Sequence, residues 1–247
     1  MDEVSSPLTP AVLRDLWDFD EPALSADRFA ALAADPSVPA LHRAELATQH
    51  ARALGLQGEY DRAHAVLDEI ADPLGVVGVR LLLERGRLVT SAGDPGAAVP
   101  FYRAAVDAAF ATSADLLAVD ALHMLAMADA GREQEWTGVA LEVVDRSSDP
   151  DVRRWSIALH NNRGWHLHDT GELDEALREF VAAHGACEEL GSVEQEQIAR
   201  WAIARCLRSL GRGPEALQLQ RRLLVERPDD PYVREELAAL EGRDAGG

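Results

Sequence analysis

Apolar residues recur at three- and four-residue intervals along most of the chain, and the runs are cut at regular places by glycine. Five segments share this grammar: LGLQGEYDRAHAVL, VTSAGDPGAAVPFY, MADAGREQEWTGVA, LHDTGELDEALREF and LRSLGRGPEALQLQ. Their glycines, Gly58, Gly93, Gly131, Gly171 and Gly211, are separated by 35, 38, 40 and 40 residues. In each, an apolar-periodic helix ends at the glycine, an acidic or polar residue usually follows, and a second helix is under way five residues on. Glycine suits the left-handed cap between two antiparallel helices, so each segment predicts a helix hairpin.

The second helices carry small residues where close packing needs them. Ala63, Ala98, Ala176 and Ala216 each lie five residues after their glycine, with Trp136 in that place in the third unit. Four positions later come Leu67, Tyr102, Ala140, Phe180 and Gln220, a stripe expected to face the core, from which Gln220 departs. PAVLRDLWDF and LSADRFAALAAD read as two short helices before the array, and YVREELAALEG as one final helix with a polar outer face. Trp17 and Phe19 are expected to pack the first cap onto the first repeat.

These hairpins resemble the tetratricopeptide repeat family. The match is best in residues 157–183, where Gly164, Gly171, Ala176, Phe180 and Ala183 occupy the family's small, turn and aromatic places. Stretches such as AVDALHMLA, HNNRGWHLHDTG and IARWAIARCLRSLGR are similar to a group of soluble bacterial repeat proteins. The resemblance implies an all-α, right-handed α-solenoid of about five hairpins with capping helices at both ends. Residues 1–37 are then N-terminal capping helices, 38–227 the repeat array, and 228–247 a C-terminal capping helix and tail.

Composition narrows the function. A net charge of -19 over 247 residues repels nucleic acid and anionic membranes. All 24 basic residues are arginine. No apolar run approaches the roughly 20 residues of a membrane helix, and MDEVSSPLTP has no leader-like basic and apolar pattern, so the chain reads as cytoplasmic. Cys187 and Cys206 read as core residues.

In the family the concave groove is lined by first-helix residues thirteen, ten, six and three places before the turn glycine. In this chain they are Glu45, Thr48, Arg52, Gly55; Arg80, Leu83, Arg87, Thr90; Ala118, Ala121, Leu125, Ala128; Ala158, Asn161, Trp165, His168; and Ile198, Trp201, Arg205, Arg208. Five of these 20 are arginine and one is acidic, a reversal of the chain's overall sign. Such a groove implies a non-catalytic scaffold that binds an acidic or extended peptide segment of a protein partner. Arg52, Arg87, Arg205 and Arg208 would carry charge, Asn161 would hold peptide backbone, Trp165 and Trp201 would cover it, and His168 completes the stripe. Asn162 and Arg163 are similar to the Asn-Arg pair of carboxylate-clamp members, whose Lys and Asn of the first repeat are Thr48 and Arg52 in this chain. That likeness implies recognition of an acidic segment or a C-terminal carboxylate.

An alternative comes from Asp120, His160 and Arg200, each 40 residues from the next on a face that normally packs inside. Adjacent first helices could bring them into one polar row, with His123 beside Asp120, serving a small-anion sensor or an enzyme. No nucleophile motif, phosphate loop or dinucleotide fingerprint accompanies the row, and nothing implies a cofactor. No metal site is expected: His166 and His168 are two apart on a helix and point about 200° apart. Self-association through an exposed repeat edge is a third reading.

Overall fold

The computed structural model describes residues 6–71 and 73–244, and these residues are helical with no strand among them. The chain divides into two compact units, residues 1–143 and 144–247. In the first lie α1 (Pro10–Leu16), α2 (Pro22–Ala34), α3 (Ala40–Leu56), α4 (Tyr60–Asp68), α5 (Gly75–Ser91), α6 (Pro95–Ala111) and α7 (Asp115–Ala128). Helix α8 (Glu133–Arg146) runs across the division. The second unit holds α9 (Pro150–Arg153), α10 (Trp155–Thr170), α11 (Leu173–Leu190), α12 (Val193–Ser209), α13 (Gly213–Glu226) and α14 (Pro231–Asp244). The expected tail beyond Asp244, like residues 1–5, lies outside the described residues.

Each turn glycine named by the sequence is where one helix gives way to the next, with φ between 76° and 99°. An L side chain strains that conformation, and glycine adopts it freely. The residue after the glycine then satisfies a carbonyl five places back: Glu59 N bonds Leu54 O at 3.0 Å, Glu172 N bonds Leu167 O at 2.8 Å, and Arg212 N bonds Leu207 O at 2.9 Å. These bonds tie the residue after the glycine back onto the last turn of the helix before it. Starts are fixed as locally: Asp94 accepts from Ala97 N, and Ser192 with Gln195 forms a reciprocal capping box ahead of α12.

The buried stripe follows the sequence pattern. Ala63, Ala98, Ala176 and Ala216 are fully buried, as are Tyr102, Ala140 and Phe180. Two first helices carry a glycine beneath a ring. A Cβ on Gly86 would lie 2.4 Å from Tyr102 Cε1, and one on Gly164 would lie 2.6 Å from Phe180 Cε1. Tyr102 is further held by a 2.9 Å hydrogen bond between its hydroxyl and Thr90 Oγ1. Cys187 and Cys206 are buried free thiols, and burial pushes the Cys206 thiol up to about 11.

One local expectation needs correction, and two buried polar side chains add to the reading. Trp136 does not fill the alanine slot of the third hairpin: it is half-buried, donates from Nε1 to Asp129 at 2.9 Å, and lies between the guanidinium groups of Arg103 and Arg132, while the neighbouring Thr137 is buried. An indole is too large for a slot that closes over alanine elsewhere. Gln220 is fully buried in spite of its amide. The C-terminal cap turns one carboxylate inward, since Glu236 on α14 is only 2% exposed.

Candidate functional site

In the first unit, the residues expected to line a groove are largely closed. Glu45 and Thr48 are fully buried, as are Ala118, Ala121 and Leu125, so those of α7 are core and not lining. The N-terminal cap accounts for the closure over α3. Leu8 N donates to Glu45 Oε1 and Trp17 Nε1 donates to Gln49 Oε1, both at 3.0 Å. Arg52 lies 5.6 Å from the Trp17 ring and 5.9 Å from that of Phe19, which itself stacks on Trp17 at 4.6 Å. The expected packing of Trp17 and Phe19 on the first repeat is therefore present.

The arginines of this unit are spoken for. Arg80 pairs with Glu45 at 3.2 Å, and Arg87 bridges Glu84 and Asp120 at 2.5 Å each. Burial opposes the charge of Arg87, but Asp120 and Glu84 outweigh it and raise the pKa. Burial likewise pushes the Asp120 carboxyl up, yet the charges of Arg87 and Arg52 and the hydrogen bond from Arg87 hold it below its ordinary value. Arg87 beside it, and then burial, lower the pKa of Arg52. Within this unit the three arginines of the expected groove, Arg52, Arg80 and Arg87, are thus matched in number by Glu45, Glu84 and Asp120, the last two at positions outside the expected stripe. Arg87 is consequently a structural ion-pair partner and not an open ligand.

Because Asp120 has a lower pKa folded than unfolded, its contribution to stability is present above the unfolded value of about 3.9 and lost as pH falls through the folded value. Urea midpoints measured from pH 7 to pH 2.5 should fall below about pH 4, and Asp120→Asn should flatten that acid limb. An unchanged limb would remove Asp120 from the account.

The polar row is also paired otherwise. Asp120 takes Arg87 within the first unit. In the second, His160 Nδ1 meets Glu179 Oε2 at 2.7 Å, with Arg163 Nε at 3.5 Å from the other oxygen, and Arg200 grips Glu226 through two hydrogen bonds of 2.6 and 2.8 Å. Burial, the largest influence, pushes the Glu179 carboxyl up, but the His160 bond and the Arg163 charge together hold it low. Glu179 and Glu226 belong to the second helix of each hairpin, and they engage these side chains in place of the neighbouring first helix.

What the second unit does bring together is the remaining predicted set. Trp165 on α10 and Trp201 on α12 have ring centroids 5.9 Å apart. Trp165 also meets His168 at 5.4 Å and Phe180 at 4.8 Å, each edge to face, and His168 Nε2 bonds Ser209 Oγ at 2.9 Å. Arg205 lies 5.7 Å from the Trp201 ring. Asn161, half-buried on the same stripe, makes no side-chain hydrogen bond among the described residues, and Asn162 is exposed. Two contributors from α14 were missed by the sequence reading. Tyr232 extends the aromatic shelf at 6.2 Å from Trp201, and Glu236 binds both Arg205 and Arg208, the latter at 2.7 and 3.0 Å. Their four-residue spacing on one helix was the available signal. Beside Trp201 lies a cavity of about 230 Å³.

The face offers three kinds of contact: flat aromatic carbon, an unclaimed amide with donor and acceptor, and two guanidinium groups against one carboxylate. Among the described residues there is no cluster of His, Cys, Asp and Glu that could hold a metal ion, and no helix is long and apolar enough to cross a membrane.

A family model described as tetratricopeptide repeat matches residues 48–114 and 164–231, more than half of the chain. No curated protein sequence gives a match. Among solved structures, the apo form of RapI superposes with a TM-score of 0.73 at 12% identity, covering 95% of this chain and 69% of that one. BtubC (BKLC) from P. vanneervenii gives 0.61 at 15% identity over 93% of this chain and 92% of its own. A putative kinesin light chain from Podosopora anserina with nearly identical TPR-like repeats gives 0.55 at 17% identity over 83% and 98%. At these identities the likeness is one of fold.

Proposed function

The chain belongs to the tetratricopeptide repeat family, and from that premise we propose that it is a non-catalytic cytoplasmic scaffold holding an extended segment of a protein partner on the face formed by α10, α12 and α14. Interaction between proteins is the general role these repeats support. The finer reading rests on one observation: Asn161 presents an unclaimed, half-buried amide on the same stripe as Trp165, beside a second tryptophan. An extended backbone repeats one donor and one acceptor per residue, which an amide can match together, while the indoles cover apolar carbon. Trp201 and His168 extend the face on either side. Arg205, 36% exposed over Trp201, shares the single carboxylate of Glu236 with Arg208, and the one positive charge left over gives a place for one acidic side chain of the segment. In the first unit, Arg52 lies under the N-terminal cap and Arg87 is held by two carboxylates, so binding is assigned to the second unit.

A random dodecapeptide library displayed on phage tests this directly. Peptides selected on the parent protein should contain an acidic residue and lose affinity in added salt. They should bind Asn161→Ala about tenfold more weakly, the worth of one good hydrogen bond. Asn161 is half-buried with no partner to lose, so circular dichroism should show a folded variant. Selected peptides that bind Asn161→Ala and Trp165→Ala as tightly as the parent would place the site elsewhere.

A further inference from the structure

We propose that the cavity beside Trp201 receives an apolar side chain, of leucine to phenylalanine size, from the same bound segment, an assignment that rests on the peptide reading of this face. Its apolar walls are Ile198, Trp201, Leu223, Tyr232 and Val233, and its one uncharged polar wall, Gln197, donates to Glu226 at 3.5 Å. The two charged residues that line it, Arg227 and Asp230, pair with each other at 3.8 Å. An anion gains little from a pair already closed, whereas apolar carbon gains from every wall. The mouth is open: Ile198 is 50% exposed and Tyr232 66% exposed, apolar surface that this chain leaves uncovered.

Trp201 belongs both to the cavity wall and to the aromatic shelf. A segment crossing the shelf therefore reaches the cavity without a break, and its next side chain fills the apolar volume. This commits the occupant to a protein segment with an apolar anchor, carried by the same chain that the shelf is proposed to hold.

Peptides selected from the dodecapeptide library should share Leu, Ile, Met or Phe at a fixed distance from the acidic residue. Ile198→Arg places a charge at the mouth on an exposed helical position, and should weaken the consensus peptide about 30-fold, the effect of leaving one large apolar side chain in water. Replacing that side chain with Ala in the peptide should cost as much against the parent and little more against Ile198→Arg. Tyr232→Ala, at an exposed position on another helix, should reproduce part of the loss should Ile198→Arg fail to fold. Peptides without an apolar consensus, bound equally by the parent, Ile198→Arg and Tyr232→Ala, overturn the cavity assignment, and continued dependence on Asn161 then leaves the peptide face standing. Dependence on Ile198 without dependence on Asn161 or Trp165 keeps the cavity and removes the face. A concentration-dependent dimer that Ile198→Arg dissolves would make a second copy the occupant and overturn the proposal, as would a library that yields no binder.

Discussion

Arg87→Ala is expected to lower the unfolding free energy by about 3–5 kcal/mol, the cost of breaking a buried ion pair from one side. The Arg87 side chain is 16% exposed, and it stands between Glu84, 2% exposed, and Asp120, 16% exposed. Glu84 Oε2 already lacks a partner, so the arginine is the chief compensation for that charge. Its removal leaves two carboxylates in one poorly hydrated place, where each now disfavours ionisation of the other. The Asp120 carboxyl, buried and without its guanidinium partner, should then titrate above its unfolded value, and the sign of the pH dependence reverses. Stability of the variant should be greatest below about pH 4 and fall as pH rises through the shifted value. Urea unfolding followed by circular dichroism at pH 4 and pH 7 measures this. A loss below about 1 kcal/mol at pH 7 would show that water reaches both carboxylates, and the triad would then be a solvated surface cluster. In the folded fraction, peptide binding on the second unit should be untouched, which separates a structural Arg87 from a ligand-binding one.

The same residue shows where the sequence was legible and where it was not. Helix hairpins, turn glycines and the buried stripe follow from short-range rules: a 3.6-residue period and a backbone that needs positive φ at Gly58, Gly93, Gly131, Gly171 and Gly211. Side-chain pairing depends on three-dimensional neighbours, which periodicity alone does not supply. Arg87 belongs to the expected stripe of α5, yet its charge is answered by Glu84 one turn away and by Asp120 from α7. His160 and Arg200 were aligned with Asp120 by equal spacing along the chain, whereas Glu179 and Glu226 of the second helices take them. Trp165 and Trp201 do meet as their positions suggested, because two large rings on facing stripes of adjacent first helices have few ways to avoid each other. Trp136 shows the opposite: a match of position to the repeat pattern failed because the side chain was too large for the slot.

Phe180→Ala should cost about 3–5 kcal/mol, as expected for removal of a fully buried ring. Its partner Gly164 makes the more discriminating test. In an exposed helix interior, Gly→Ala gains about 1 kcal/mol through helix propensity. At Gly164 the new methyl would lie 2.6 and 2.7 Å from Phe180 Cε1 and Cδ1, and the ring is backed by Trp165 at 4.8 Å. Overpacking of this kind costs about 1–3 kcal/mol, so Gly164→Ala should destabilise the parent despite the better helix former. In the Phe180→Ala background the obstructing ring is gone, the methyl enters the space it left, and the same substitution should become stabilising by about 1 kcal/mol. Denaturant unfolding of the four chains gives the coupling between the two sites. If Gly164→Ala stabilises the parent, the ring moves aside at little cost and close approach of these helices is not what the glycine provides. If the sign reverses between backgrounds, Gly164 is the hole into which Phe180 fits, and Phe180 in turn holds the edge of Trp165 on the face proposed to bind peptide. The clash variant should then also weaken peptide binding while Asn161 remains in place, because the indole that covers the segment takes its position from the ring beneath it.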